Sequence, residues 1–153
     1  MAGHDTSPSA GWFEGREHLL PVRVYYEDTD FTGVVYHANY ARYLERGRSD
    51  FLRLAGISHT DLLAHDAPTA FVVTRLAIDF RAAARIDDAL LVRTTYDVVR
   101  GPRLFISQRI VRSETVICEA EVQAACISLD GRPCRPPRGM VETLTPWFSP
   151  SAP

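Results

Sequence analysis

The sequence predicts an α+β domain in which one long central helix packs on an antiparallel sheet of five strands. Three observations predict it. A single helical stripe runs through Tyr40, Tyr43, Leu44, Gly47, Phe51, Leu54 and Ala55 at three- and four-residue steps. Four long runs after Pro68 alternate with period two, as strands with one buried face do. Turn signals separate those runs, and short turns join antiparallel neighbours.

Taken in order, residues 1–18 hold Gly, Ser, Pro and Asp with little periodicity and read as a flexible arm, pinned to the body by Trp12 and Phe13. The domain proper is expected over 19–140, followed by a tail at 141–153. Residues 20–26 alternate and form the first strand. The helix then starts near His37, with Arg42, Glu45, Arg46, Ser49, Asp50 and Arg53 on its polar faces and Gly56 as its stop. Arg46 and Asp50 lie one turn apart and attract across that surface. Gly47 costs about 1 kcal/mol against Ala inside a helix, so a second backbone is expected to pass close to it. Residues 57–68 read as a connection with one helical turn near 61–65. The remaining strands are 69–80, 89–99, 103–112 and 115–129. In the last of these Val116, Cys118, Ala120, Val122, Ala124 and Cys126 face one way and Glu119, Glu121 and Gln123 the other.

Composition bounds the function. The chain has 153 residues, 46% apolar and 24% charged, with a net charge of −2, which is one ordinary globular domain and not the basic surface of a nucleic-acid protein. Cys118, Cys126 and Cys134 are odd in number and widely spaced, so neither a disulfide framework nor a metal set is expected. No apolar run approaches the roughly 20 residues of a membrane span, and the start lacks a secretory core, so a cytoplasmic protein is expected. His4, His18, His59 and His65 read as bystanders. Arg132, Arg135 and Arg138 recur every third residue among prolines, a phosphate-contacting strip in one reading and a solvated tail in the other.

The chemistry concentrates between the first strand and the helix. Asp28 and Asp30 precede Gly33, whose freedom suits a tight turn, and the helix begins at His37. A helix start offers unpaired amides and a partial positive charge, and a carboxylate beside it can act as base or nucleophile on a carbonyl. The structural reading of Asp30, a turn or capping residue, stands beside the catalytic one. For His37 the alternatives are its ring and its backbone N–H. Tyr36, Tyr40 and Tyr43 are read as pocket wall or core.

The run from Tyr25 to Tyr40, Tyr-Tyr-Glu-Asp-Thr-Asp-Phe-Thr-Gly-Val-Val-Tyr-His-Ala-Asn-Tyr, resembles the signature of the 4-hydroxybenzoyl-CoA thioesterase family of hot-dog proteins, most of all its Tol-Pal-associated acyl-CoA thioesterase branch. A second match lies in Ile78-Asp79-Phe80-Arg81-Ala82-Ala83-Ala84-Arg85-Ile86-Asp87-Asp88. The resemblance implies hydrolysis of an acyl-CoA thioester with no metal or other cofactor, coenzyme A being part of the substrate. It implies Asp30 as the catalytic carboxylate, the amide of His37 as carbonyl polariser and Gly33 as the turn glycine. Tyr36, Arg75, Arg100 and Arg103 are candidates for substrate contact, since Arg suits phosphate geometry. It further implies homodimers or dimer-of-dimers tetramers with the site between subunits, and an acyl carrier protein as a second candidate partner. A non-catalytic acyl-CoA-binding module and a hot-dog dehydratase are alternatives, both disfavoured by an acid placed before the helix; a third, a structural partner of the cell envelope, rests on the branch resemblance alone.

Overall fold

The structure, a computed structural model, describes Gly3, Pro8 and residues 10–150. The strands are β1 (Trp12–Glu14), β2 (Glu17–Arg23), β3 (Thr69–Phe80), β4 (Ala89–Arg100), β5 (Arg103–Arg112) and β6 (Thr115–Ser128). The helices are α1 (His37–Leu54), α2 (His59–Ala64) and α3 (Arg138–Leu144), with single 3₁₀ turns at Tyr26–Asp28 and Thr145–Trp147. All six strands form one antiparallel sheet in the order β1-β2-β4-β5-β6-β3, and α1 lies across β2, β4 and β5.

The predicted stripe is the buried one: Tyr40, Tyr43, Leu44, Gly47 and Phe51 face the sheet, while Leu54 turns outward. Opposite it stand Val92, Thr94 and Tyr96 of β4, Ile106 and Ile110 of β5, and Cys118, Ala120 and Val122 of β6. This alternation is what lets one face of each strand bury against the helix while the other carries charge. A Cβ on Gly47 would lie 2.7 Å from Val92 Cγ1 and 2.9 Å from Thr94 Oγ1. The close approach there is therefore made by strand side chains, not by the backbone the sequence suggested.

Five further expectations change. The first strand is displaced three residues toward the N-terminus, because Tyr26–Asp28 is taken by a 3₁₀ turn. The sheet gains a sixth strand, since β1 pairs with β2 as a hairpin and so takes 12–18 out of the arm. Most of residues 1–9, His4 included, lie outside the described residues. The start of the tail is core: Leu144 is fully buried, and Trp147 packs on Phe13 at 4.9 Å between centroids. Finally, β3 does not pair with β4. Residues 81–88 cross past β6 and β5 to β4 in the interior of the sheet, so β3 becomes an outer strand paired only with β6. The arginine strip is also broken, as Arg138 starts α3 and pairs with Glu142, and Arg132 pairs with Asp130.

The β1 hairpin is latched by a residue read as a bystander. His18 is fully buried, its Nε2 2.8 Å from Asp50 Oδ2, and the same oxygen accepts the Gly11 amide at 2.8 Å. Arg53 closes the other carboxylate oxygen at 2.9 Å. Burial pushes the His18 pKa down against the opposing pull of Asp50, so the ring is neutral and donates through Nε2. Asp50→Ala leaves that N–H and the Gly11 amide without an acceptor. It is expected to cost about 2–3 kcal/mol, read as a lower midpoint in thermal melts; an unchanged midpoint would show that the latch contributes nothing.

Candidate active site

The loop between β2 and α1 is built from its backbone outward. After Arg23, Val24 continues the pairing by exchanging bonds with the crossover: its amide donates to Asp88 O at 3.0 Å and its carbonyl accepts from the Asp87 amide at 2.9 Å. The chain then makes the 3₁₀ turn and doubles back as a short ladder. Tyr36 N donates to Asp28 O at 2.9 Å, Thr29 bridges Val35, and Asp30 N donates to Val34 O at 2.8 Å. The ladder closes in a turn in which Gly33 N donates to Asp30 O at 3.0 Å, and Gly33 takes a φ of +82° that only glycine adopts freely.

Two aspartates in this loop differ in kind. Asp28 is buried, and its carboxylate accepts the Tyr25 amide and the Asn39 side-chain amide, each at 2.8 Å. Burial alone would raise its pKa. The bonds from Tyr25 and Asn39, the nearby Tyr43 hydroxyl and the Arg46 charge outweigh burial and hold it below the usual carboxylate range. The Tyr43 hydroxyl faces this carboxylate without closing a hydrogen bond, and its own pKa is raised by burial and by Asp28. Asp28 thus ties the end of β2, the turn and the first turn of α1 into one unit.

Asp30 sits at the tip of the loop. Its Oδ1 accepts the Thr32 hydroxyl at 2.6 Å and the Thr32 amide at 2.8 Å. No donor closes on Oδ2 among the described residues. The Thr32 hydroxyl, then its amide, hold the Asp30 carboxyl below the ordinary range, against a smaller opposing effect of burial. The group is ionised, anchored by one oxygen and open at the other, as a base or nucleophile must be.

The same ladder delivers the chain to the helix start. Tyr36 caps α1 in an extended conformation, with no side-chain cap and no acid in the first turn. Asn39 N returns to Tyr36 O at 2.8 Å, while the amides of His37 and Ala38 donate no hydrogen bond among the described residues. His37 and Tyr36 are exposed, their rings 4.6 Å apart, and the His37 ring meets Phe80 edge-on at 6.5 Å. The His37 side chain makes ring contacts only, so the hydrogen-bonding group offered here is the backbone N–H. Two free amides at a positive helix end, joined through the same ladder to a fixed carboxylate, can hold a carbonyl oxygen as it gains charge.

Asp30, Gly33, Tyr36 and His37 therefore come together in one loop. Arg75, Arg100 and Arg103 do not join them within the chain. Arg75 lies exposed on β3, 3.7 Å from Glu121. Arg100 ends β4, its guanidinium over the Phe105 ring at 5.5 Å, and Arg103 opens β5. The site lies where β4 begins, so these two stand at the far end of the sheet, a strand length of about 36 Å away at 3.3 Å per residue. Asp28, Asn39 and Tyr25 were left without a role by the sequence, which carries no signal that an aspartate and an asparagine eleven positions on will share a bond. No group of three or more His, Cys, Asp or Glu side chains with metal-holding geometry occurs among the described residues.

Residues 24–147 match the family model described as the thioesterase-like superfamily. The chain is 45% identical over 110 residues to the acyl-CoA thioesterase YbgC of Haemophilus influenzae, covering 72% of this chain and 80% of that protein. It is 44% identical over 123 residues to the acyl-CoA thioester hydrolase YbgC of Escherichia coli O6:H1, covering 79% and 90%. A structure described as a probable thioesterase from Bartonella henselae superposes with a TM-score of 0.76 at 41% identity, covering 79% of this chain and 99% of that one. 4-hydroxybenzoyl-CoA thioesterase bound to 4-hydroxybenzoyl-CoA superposes with a TM-score of 0.78 at 17% identity, covering 84% and 99%, which is a likeness of fold.

Asp28→Asn replaces one acceptor oxygen by an N–H that faces a donor. It is expected to lower stability by about 1–3 kcal/mol and to speed hydrogen exchange at the Asp30 and Gly33 amides; unaltered exchange would show that the loop does not depend on it. Thr32→Val removes the hydroxyl that stabilises the charged form of Asp30. The Asp30 pKa should then rise toward the ordinary value of about 3.9, visible in a carboxyl-carbon NMR titration against the parent chain.

Proposed function

This chain belongs to the thioesterase-like superfamily and is an acyl-CoA thioesterase, and we propose that its reaction runs at Asp30 beside the first amides of α1. The observation that carries this reading is the pairing, in one short ladder, of an ionised carboxylate open at Oδ2 with two unspent helix amides. The thioester carbonyl oxygen lies on the amides of His37 and Ala38, which take up the charge that develops on it. Asp30 then serves in one of two ways. As nucleophile it attacks the carbonyl carbon, expels CoA as thiolate and leaves an acyl anhydride that water cleaves. As base it draws the proton from a water that attacks the same carbon. Either route returns free acid, CoA and the ionised carboxylate, and neither calls on a metal or redox group.

The catalytic unit in this reading is a homodimer. β3 is a twelve-residue outer strand with Val72, Val73, Leu76 and Phe80 exposed, whereas the other edge, β1, has three residues. A long apolar edge invites a second copy. Two-fold antiparallel pairing of β3 with β3 would set the Thr69 end of one copy beside the Phe80 end of the other. That brings the second copy's Arg100 and Arg103 toward Asp30, where they can meet the phosphates of CoA. Arg75 lines the same seam. Pairs of such dimers can form tetramers, and an acyl carrier protein is a second candidate donor of the acyl group. The free thiols of Cys118, Cys126 and Cys134 support a cytoplasmic setting, and a link to the Tol-Pal system follows from the branch resemblance; no helix among the described residues is long and apolar enough to cross a membrane.

The test is free-thiol release over a panel of acyl-CoA thioesters. Asp30→Asn should lower kcat by about 10²-fold or more, with the fold unchanged by circular dichroism. His37→Ala keeps the amide and should stay within about ten-fold of the parent. Equal and complete loss in both would refute the backbone assignment, and full activity in Asp30→Asn would refute the site.

A further inference from the structure

Between α1 and the outer strand β3 runs a groove, formed by two adjoining cavities of about 130 and 460 Å³ that share Glu45, Arg48 and Val73. It starts one turn into α1 at Ala41, beside Leu76 of β3, close to where Phe80 meets the His37 ring. At its inner end the walls are Leu52, Phe71, Leu104 and Ile106. Such a trough leading away from a helix start suits an acyl chain: its inner walls are apolar, with Ser49 and His59 at their margin, while Arg42, Glu45 and Arg46 line the mouth.

Arg48 is the cation that stands where the two cavities join. Its side chain is half-buried and lines both cavities. One of its five N–H donors is used, on Gln108 Oε1 at 3.0 Å, and its guanidinium has no other hydrogen bond or ion pair among the described residues. Glu45 lines the same join and attracts the guanidinium, but it closes no ion pair with it among the described residues, its Oε1 accepting the Ser49 hydroxyl at 2.7 Å. Gln108 is itself held fast: its Nε2 donates to Leu44 O at 2.8 Å and to Thr94 Oγ1 at 2.9 Å. The guanidinium is therefore fixed in position and largely unspent. A half-buried guanidinium with one hydrogen-bonded partner still has donors to satisfy, and the planar fork of Arg matches a carboxylate in two parallel bonds.

We infer that Arg48 binds a carboxylate at the far end of the acyl group, so that the favoured substrates are CoA thioesters of dicarboxylic acids. The inference rests on the reading of Asp30 and the α1 amides as the hydrolytic centre and supplies its substrate class. Eleven residues separate His37 from Arg48 along α1, about 16 Å at 1.5 Å per residue, and the Arg side chain shortens that span. A chain of medium length fits; a two- or three-carbon acyl group does not reach.

The experiment compares matched pairs, suberoyl-CoA with octanoyl-CoA and dodecanedioyl-CoA with lauroyl-CoA, by kcat/KM. The parent chain should favour the carboxylate-ended member of at least one pair by about ten-fold or more. Arg48→Met should collapse that ratio, and Arg48→Lys should restore part of it, since it keeps the charge without the fork. Equal or lower rates on the carboxylate-ended esters with the parent chain would overturn the inference without any variant having to fold. So would an Arg48→Met protein in which both members fall together, for then Arg48 only ties α1 to the sheet through Gln108. Absence of thiol release from every ester, matched by Asp30→Asn, would take down the hydrolytic reading and this inference with it.

Discussion

The site depends on the buried carboxylate of Asp28. It accepts from the backbone before the turn, through Tyr25, and from the first turn of α1, through Asn39, while its own carbonyl receives the Tyr36 amide. Three segments that the chain visits in succession are thereby given one relative position. The catalytic proposal needs that rigidity, because an oxyanion donor helps only if it already points where the charge will form. Asp28 carries no part of the reaction in this account. It converts an exposed loop, the most mobile kind of segment, into part of the scaffold.

The two aspartates divide the labour through solvation. Asp28 is dehydrated and fully engaged, so its charge is spent on structure. Asp30 is only partly covered, two positions on, and keeps one oxygen free while Thr32 holds the other. The same side chain is thus fully engaged at one position and half open at the other, according to how many donors surround it. Thr32 also limits basicity: the hydrogen bonds that orient Asp30 favour its charged form, which keeps it ionised at neutral pH and makes it a modest base.

Below the helix start, α1 meets the sheet through an unusual seam. Gly47 leaves room for Val92 and Thr94 to come up against the helix. Gln108 crosses that gap to the Leu44 carbonyl, a bond that a larger residue at 47 would obstruct. A buried polar link of this kind is worth keeping only when every member is paired, and the amide of Gln108 is. Its remaining partner is the Arg48 guanidinium at the edge of the groove. The seam that seats the helix is also what fixes a cation beside the proposed acyl path.

The elements were legible in the sequence because each rests on local periodicity. The α1 stripe, the inward residues of β4, β5 and β6, and the turn at Gly33 come from spacing and backbone preference, which neighbouring residues set among themselves. The signature from Tyr25 to Tyr40 pointed to Asp30 and His37 by the same closeness in sequence. What spacing does not carry is which strand lies beside which. Residues 81–88 look like a turn and act as a crossover, so β3 becomes an open edge and Arg100 and Arg103 lie far from Asp30. Likewise, His18 reads as a loop histidine and is buried on Asp50, and the tail contributes Leu144 to the core. The sequence by itself determined the pieces, and its resemblance singled out the loop on which the catalytic proposal stands. Only the tertiary structure decided the partners of Asp28, His18 and Arg48, because a buried polar group takes whichever donor or acceptor folding brings within reach, and that choice leaves no period in the chain.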